Sequence, residues 1–216
     1  MNKSFSGLLA IALFLIAPLL LWMWLHNSLV TKEETVFEAW AQTESNLERR
    51  ADLIPALVDT VSRYLRHESE TLTAVTEQRG DAKLSAALDE LLAAQKATAE
   101  LIRKDGSSIV ENDTDLAALY AAQQSVGQRM HGFLAVAESY PQLRSSDQFL
   151  ELQAQLEGTE NRINVARMRF NESVASYNAA IRKLPGSLVA SVGSFDRKAY
   201  FQADEESHDE PELAFD

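Results

Sequence analysis

Apolar residues recur at helical spacing along this chain from its N-terminal region to about residue 183. Residues 7–25 form an unbroken apolar stretch, and amphipathic patterns follow it. The first pattern continues directly from that stretch, and its apolar stripe consists of Val30, Phe37, Trp40, Leu47, Ala51 and Ile54. Because no segment alternates polar and apolar residues over a useful length, the sequence predicts an all-α protein.

Pro55 is the first proline after the apolar stretch, and it predicts the end of the first helix. Proline disfavours helical geometry in the residue before it and suits the first turn of a new helix. We therefore expect the first helix to end near Leu53, with Asp52 as an N-cap of the second. The second pattern covers residues 55–104, as one long helix or as two that abut at Gly80–Asp81.

Turn-forming residues separate two further helices. Residues 105–108 read DGSS, which is a turn signal, and residues 112–114 read NDT, which offers N-caps for a third helix. Pro141 follows the end of that helix. Ser145 and Gln148 have the spacing of a capping box, which predicts a fourth helix from there to about Lys183.

Four amphipathic helices with short connections predict an antiparallel four-helix bundle within residues 26–186. We expect the first helix to leave this bundle and enter the membrane. Residues 187–201 are apolar enough to pack back on the bundle as an irregular segment. Residues 202–216 contain seven acidic side chains and no lysine or arginine, so we expect a disordered acidic tail.

The apolar stretch at residues 7–25 predicts a transmembrane helix, preceded by a short flank at residues 1–6. It contains no charged residue, and its length as a helix matches a hydrocarbon core of about 30 Å. Trp22 and Trp24 stand at its downstream end, where interfacial indoles are favoured. A cleaved signal peptide is the alternative, but no small-x-small cleavage site follows. Basic residues near the two ends favour a cytoplasmic N-terminus by about one charge, which places the bundle on the outer side.

Composition excludes several functional classes. The net charge of -12 argues against nucleic-acid binding and against a domain lying flat on an anionic leaflet. The chain has no cysteine, so disulfides, lipoprotein acylation and thiolate metal sites are excluded.

Three segments in order resemble the LemA family, a group of bacterial membrane-anchored helical proteins. They are residues 49–58 (RRADLIPALV), 133–141 (FLAVAESYP) and 156–163 (LEGTENRI). The chain departs from the family at Ala56, where asparagine is typical, and at Phe170, where tyrosine is typical. The resemblance implies one membrane anchor, a bundle of long helices, a bacterial origin and no established enzymatic activity. Some relatives are linked to the formation of specialised internal membranes.

Arg49, Arg50 and Asp52 flank the predicted turn between the first two helices. One interpretation is a binding site for an anionic lipid or a protein partner. The other is structural: Asp52 caps the second helix, and an arginine pairs with it or with the fourth helix.

The fourth predicted helix carries polar residues within its apolar rhythm, namely Glu160, Asn161, Arg162, Asn171, Tyr177 and Asn178. A polar layer inside a bundle must be fully hydrogen-bonded, and such layers often fix register and helix pairing. A polar pocket or metal site is the alternative. A di-metal centre requires Glu-x-x-His pairs, however, and neither His67 nor His131 has glutamate three residues before it. We therefore expect no metal and no cofactor.

These observations favour a non-enzymatic scaffold or adaptor in the bacterial plasma membrane. Its expected partners are the lipid bilayer, through one transmembrane helix, and another protein of unknown identity. Homo-oligomers are also compatible with the sequence. The alternative function is membrane shaping by lateral oligomerisation, and a third is a metal-binding or enzymatic bundle.

Overall fold

A computed structural model describes the backbone of residues 3–71, 75–104 and 108–202 and the side chains of residues 14, 16–67, 82–103 and 109–202. Within those ranges the chain is all-α, which confirms the predicted class. The helices are α1 (Lys3–Thr71), α2 (Val75–Lys104), α3 (Asp113–Ala137), α4 (Pro141–Arg144), α5 (Asp147–Arg182) and α6 (Gly186–Gly193). A 3₁₀ turn (Ser108–Glu111) precedes α3.

Helix α1 runs without a break for 69 residues and contains Pro55 in its interior. The predicted helix end near Leu53 is therefore wrong, as is the N-cap at Asp52, which lies exposed within α1. Helix α1 instead ends at Thr71. A proline inside a helix costs roughly 3 kcal/mol, whereas full burial of each large aliphatic side chain contributes about 1.5–3 kcal/mol. The apolar residues buried around the proline outweigh its cost, and they are Ile54, Leu57 and Val61.

The stripe that α1 buries differs from the predicted one at three positions. Trp40, Leu47 and Ile54 are buried as expected, but Val30 is exposed, and Phe37 and Ala51 are half-buried. Apart from Thr60, the buried positions from residue 36 to residue 61 follow one another at three- or four-residue steps, in the order Val36, Trp40, Thr43, Leu47, Arg50, Ile54, Leu57 and Val61. Two polar residues thus occupy core positions, and the prediction passed over them because it followed apolar residues alone.

Helices α1, α2, α3 and α5 form the predicted antiparallel bundle around two apolar clusters. The base core surrounds Trp40 and Phe170, and the tip core surrounds Leu57 and Phe133. Helices α1 and α3 pass through the base core before the tip core, whereas α2 and α5 pass through them in the opposite order. Neighbouring helices in the chain therefore run antiparallel, with α1 packed mainly on α5 and α2 mainly on α3.

The predicted helix starts are confirmed for α3 and corrected for α5. The side chain of Asn112 accepts hydrogen bonds from the backbone N–H groups of Thr114 and Asp115 and so caps α3. Helix α5 begins at Asp147 after the short α4, and the Ser145 hydroxyl donates to the carbonyl of Gln142. The proposed capping box at Ser145 therefore does not open the fourth long helix.

The segment after α5 is partly helical, which corrects the expectation of a wholly irregular structure. Gly186 opens α6 so close to α5 that a Cβ atom there would clash with the carbonyl oxygen of Ala180. After α6 the chain runs back along the bundle, and we name residues 195–201 the strap. The backbone N–H of Ala199 donates to the carbonyl of Val110, and Phe201 is buried against Trp40. The predicted acidic tail lies outside the described residues from position 203 onward.

No helix among the described residues contains an apolar window long enough to cross a membrane. The predicted span at residues 7–25 includes positions whose side chains lie outside the described ones. Its described large apolar residues are mostly exposed, and these are Phe14, Ile16, Leu19, Leu20, Leu21, Met23 and Trp24.

The continuity of α1 through Pro55 predicts a long distance between two exposed positions on either side of it. Spin labels on Glu38→Cys and Arg63→Cys would lie about 37 Å apart along a straight helix. The chain has no native cysteine to interfere. Double electron–electron resonance should give that distance, and Pro55→Ala should leave it unchanged. A distance below about 20 Å would instead indicate a helical hairpin at Pro55.

Candidate functional site

Two asparagines on α5 hold the backbone of the strap against the bundle. The side-chain amide of Asn178 donates to the carbonyl of Lys198 at 2.9 Å, and its oxygen accepts from the N–H of Lys198 at 3.0 Å. Asn171 forms the same pair of bonds with Phe201, at 3.2 and 2.9 Å. Their spacing of seven residues places both amides on one face of α5. Two of the polar positions predicted on this helix, Asn171 and Asn178, thus bind main chain, in the manner of a neighbouring strand.

Lys198 is buried and lies at the centre of an ionic network between the strap, α1 and the 3₁₀ turn. Its ammonium group contacts Glu33 at 2.9 Å and Glu111 at 2.7 Å. The Tyr177 hydroxyl donates to the same Glu33 oxygen at 3.3 Å. Burial lowers the pKa of Lys198, but the hydrogen bonds to both carboxylates outweigh it and leave the pKa above its ordinary value. Burial, reinforced by Glu33, raises the pKa of Tyr177.

Arg50 and Glu160 form an ion pair between α1 and α5, which agrees with the structural interpretation of an arginine pairing with the fourth long helix. Nη1 of Arg50 lies 2.7 Å from Oε2 of Glu160. Only 1% of the Arg50 side chain is exposed, compared with 29% of Glu160. Burial lowers the pKa of Arg50, and the charge of Glu160 opposes that shift.

The other sequence-predicted candidates are not brought together. Arg49 and Asp52 lie on the exposed face of α1, and Asn161 and Arg162 lie on the exposed face of α5. Exposed charges of this kind contribute little to stability. The predicted cluster of arginines and an aspartate at a turn is therefore wrong, because these residues lie in the middle of a continuous helix.

The sequence analysis did not identify a surface of exposed apolar residues and cations at the end of the bundle that contains the base core. Leu188 and Val192 on α6 are 62% and 71% exposed, and Leu184 before α6 is also exposed. Three cations, Arg182, Lys183 and Arg197, line one groove at the C-terminal end of α5. We name this combination the base surface. The signal was the spacing of Leu188 and Val192, which are four residues apart and therefore share one face of α6.

The base surface lies beside the downstream end of the apolar stretch of α1. The ring of His26 packs against that of Phe195 with centroids 5.3 Å apart. Trp22 and Leu25 pack against the base core. The exposed apolar side chains of α1 and those of α6 are therefore neighbouring parts of one end of the molecule.

Among the described residues, no group of three or more histidine, aspartate or glutamate side chains is arranged to hold a metal ion. Among the described ion pairs, those of Glu160 with Arg50 and of Glu33 and Glu111 with Lys198 involve a buried cation.

Comparison with known proteins gives consistent matches over the bundle. The LemA family model matches residues 39–215. Magnetosome protein MamQ from Magnetospirillum gryphiswaldense is 26% identical over 183 residues, which cover 82% of this chain and 64% of the relative. Magnetosome protein MamQ 2 from Paramagnetospirillum magneticum is 26% identical over 184 residues, with the same coverage. The chain thus spans less than two thirds of the length of these relatives.

The bonds of Asn178 to the strap predict a local loss of protection when that side chain is replaced. Asn178→Leu leaves the buried N–H and carbonyl of Lys198 unpaired, which should cost about 1–3 kcal/mol of unfolding free energy. The amide hydrogens of the strap should then exchange with solvent faster in Asn178→Leu than in the unaltered protein.

Hydrogen exchange and urea unfolding would measure both effects. Asn161→Leu is the matched control, since it places the same side chain on an exposed site of α5 and should change stability by less than about 0.5 kcal/mol. Unchanged exchange in the strap of Asn178→Leu would contradict the assigned role.

Proposed function

The chain belongs to the LemA family, and we propose that it is a membrane-anchored, non-enzymatic scaffold or adaptor. In this proposal residues 7–25 cross the bacterial plasma membrane once. The bundle then presents its long helical surfaces to a protein partner beside the membrane.

The observation that carries the proposal is the concentration of exposed apolar side chains at one end of the molecule. Leu19, Leu20 and Leu21 are consecutive in α1, and all three are more than half exposed. Consecutive residues point in different directions around a helix, so apolar side chains surround α1 here instead of forming one stripe. Water disfavours such a surface, and the interior of a bilayer accommodates it.

Helix α6 supports the same placement. It lies beside the downstream end of the proposed span, at the level of His26. A short helix with Leu188 and Val192 facing outward there would bury them at the boundary between headgroups and acyl chains. The three cations of the base surface would face lipid phosphates at that depth. The net charge of -12 opposes attraction of the whole domain to an anionic leaflet, so we confine the lipid contact to this end.

The non-enzymatic part of the proposal rests on how the polar residues are used. Asn171, Asn178 and Lys198 are engaged in holding the strap, and Glu160 is engaged by Arg50. Groups committed to such contacts act in packing. The similarity to magnetosome proteins is compatible with a role in organising other proteins at a membrane.

Lipid contact at two depths can be tested by fluorescence quenching in liposomes. A polarity-sensitive fluorophore on Phe14→Cys should be quenched by lipids that carry a nitroxide deep in the acyl chain. The same fluorophore on Leu188→Cys should be quenched by a headgroup nitroxide, because α6 is expected at the interface. Gln148→Cys is the control, since it is exposed near the tip core at the other end of the bundle and should remain unquenched.

This experiment tests the membrane anchor and the lipid contact of α6 independently of each other. Absence of quenching at position 14 would overturn the membrane anchor. Quenching at position 14 without quenching at position 188 would leave the anchor in place and remove the contact through α6.

The scaffold role predicts a discrete protein partner in native membranes. Cross-linking followed by purification should recover that partner with the full chain. If the acidic tail takes part in recruitment, a chain truncated after Phe201 should lose the partner while its melting temperature stays unchanged. Recovery of self-cross-links alone from both chains would contradict the adaptor and favour membrane shaping by lateral assembly.

A further inference from the structure

A polar layer crosses the bundle between its base core and tip core. Each long helix contributes to it, through Arg50 on α1, Gln95 on α2, Gln123 on α3 and Thr159 on α5, and all four are buried. Each lies between residues of the two apolar clusters, as Arg50 does between Leu47 and Ile54.

Among the residues that the structure describes, several polar atoms of this layer have no hydrogen-bond partner. They are Nε and Nη2 of Arg50, Oε1 of Gln95, and both Oε1 and Nε2 of Gln123. Buried polar groups without partners are costly and are rare in folded proteins. Several of them at one level of the bundle therefore point to an additional polar group that binds there.

A cavity of about 320 Å³ lies beside this layer. Arg50 and Gln123 line it from the core, and Glu160 and Arg167 line it from α5. The guanidinium of Arg167 lies over the ring of Tyr120, 5.3 Å from its centroid. The volume falls at the lower end of the range for small-molecule pockets.

We propose that this cavity binds a carboxylate, with Arg50 as its principal partner. Nη1 of Arg50 is engaged by Glu160, so the Nε–Nη2 edge remains, and two parallel N–H groups of that kind match the two oxygens of a carboxylate. Arg50 and Arg167 carry two positive charges against the one negative charge of Glu160. One further negative charge would balance the site, and a doubly charged phosphate would exceed that balance.

The carboxylate has two available sources. One is a small organic acid that enters from solvent. The other is the acidic tail of the chain itself, since Phe201 lines the cavity and Asp204 follows it within about 10 Å of extended chain. Both supply the same chemical group to Arg50, so the test must separate them.

Gly127 offers a way to close the cavity. It lies within α3 on the cavity wall, and a Cβ atom added there would meet only Oε1 of Glu160, at 3.9 Å. Gly127→Leu should therefore fill the cavity without moving the backbone. Gly132→Leu is the matched control, because it places the same side chain on the same helix at an exposed site with nothing within 4 Å of the added Cβ atom.

The experiment follows the Nε–H signal of Arg50 by nuclear magnetic resonance in micelle-bound protein, for the full chain and for a chain truncated after Gln202. Sodium acetate is titrated to 100 mM, with sodium chloride as the reference. We expect acetate to shift the Arg50 signal saturably in the truncated chain. Gly132→Leu should preserve this shift and Gly127→Leu should abolish it.

If Gly127→Leu does not fold, Arg167→Gln serves instead and should weaken acetate binding severalfold, because it removes a charge at the half-buried wall. A full-chain signal that already lies at the acetate-bound position identifies the tail as the source. A full chain that responds like the truncated one identifies a diffusible acid. The proposal is overturned if acetate and chloride act alike in both chains and the two chains give the same Arg50 signal.

Discussion

The buried stripe of α1 is the constraint on which the rest of this structure depends. It contacts α5 along most of its length, contributes to both apolar cores and supplies Arg50 to the layer between them. Because side chains on both sides of Pro55 lie on this one stripe, the helix continues through the proline. The exposed apolar segment and the bundle therefore belong to a single rod of 69 residues. In the proposed membrane anchor, α1 would therefore continue without a break from the lipid into the bundle.

The backbone of the strap is held against the bundle by side chains of α5 instead of by a partner strand. Asn171 and Asn178 each satisfy one donor and one acceptor of the strap. Lys198 then joins the strap to Glu33 of α1 and Glu111 before α3. The segment between α5 and the acidic tail is thus tied to three parts of the bundle. Any partner that binds the tail would act on a segment that is mechanically coupled to α1.

The polar residues of the bundle are of two kinds: those whose polar atoms have hydrogen-bond partners within the chain, and those that retain unpaired polar atoms. The asparagines and Lys198 have their partners within the chain, and their contribution is structural. Arg50 and Gln123 are also buried, yet among the described residues they retain unpaired atoms beside a cavity. A ligand would gain the most binding free energy from Arg50 and Gln123, because it would supply hydrogen bonds that these side chains do not make within the described chain.

The sequence by itself determined the all-α class, the number of long helices and the family, because helical periodicity and short motifs are local properties. It also singled out Asn171, Asn178 and Glu160, since polar residues within an apolar rhythm are visible without a structure. Only the tertiary structure decided that α1 continues through Pro55 and that Arg50 occupies a core position. The partners of the asparagines and the position of α6 beside the apolar segment were likewise decided by tertiary packing. Local rules treat a proline as a helix start and an arginine as a surface residue. Packing against α5 overrides both, because burial of the whole stripe outweighs the cost of one lost hydrogen bond and one buried charge.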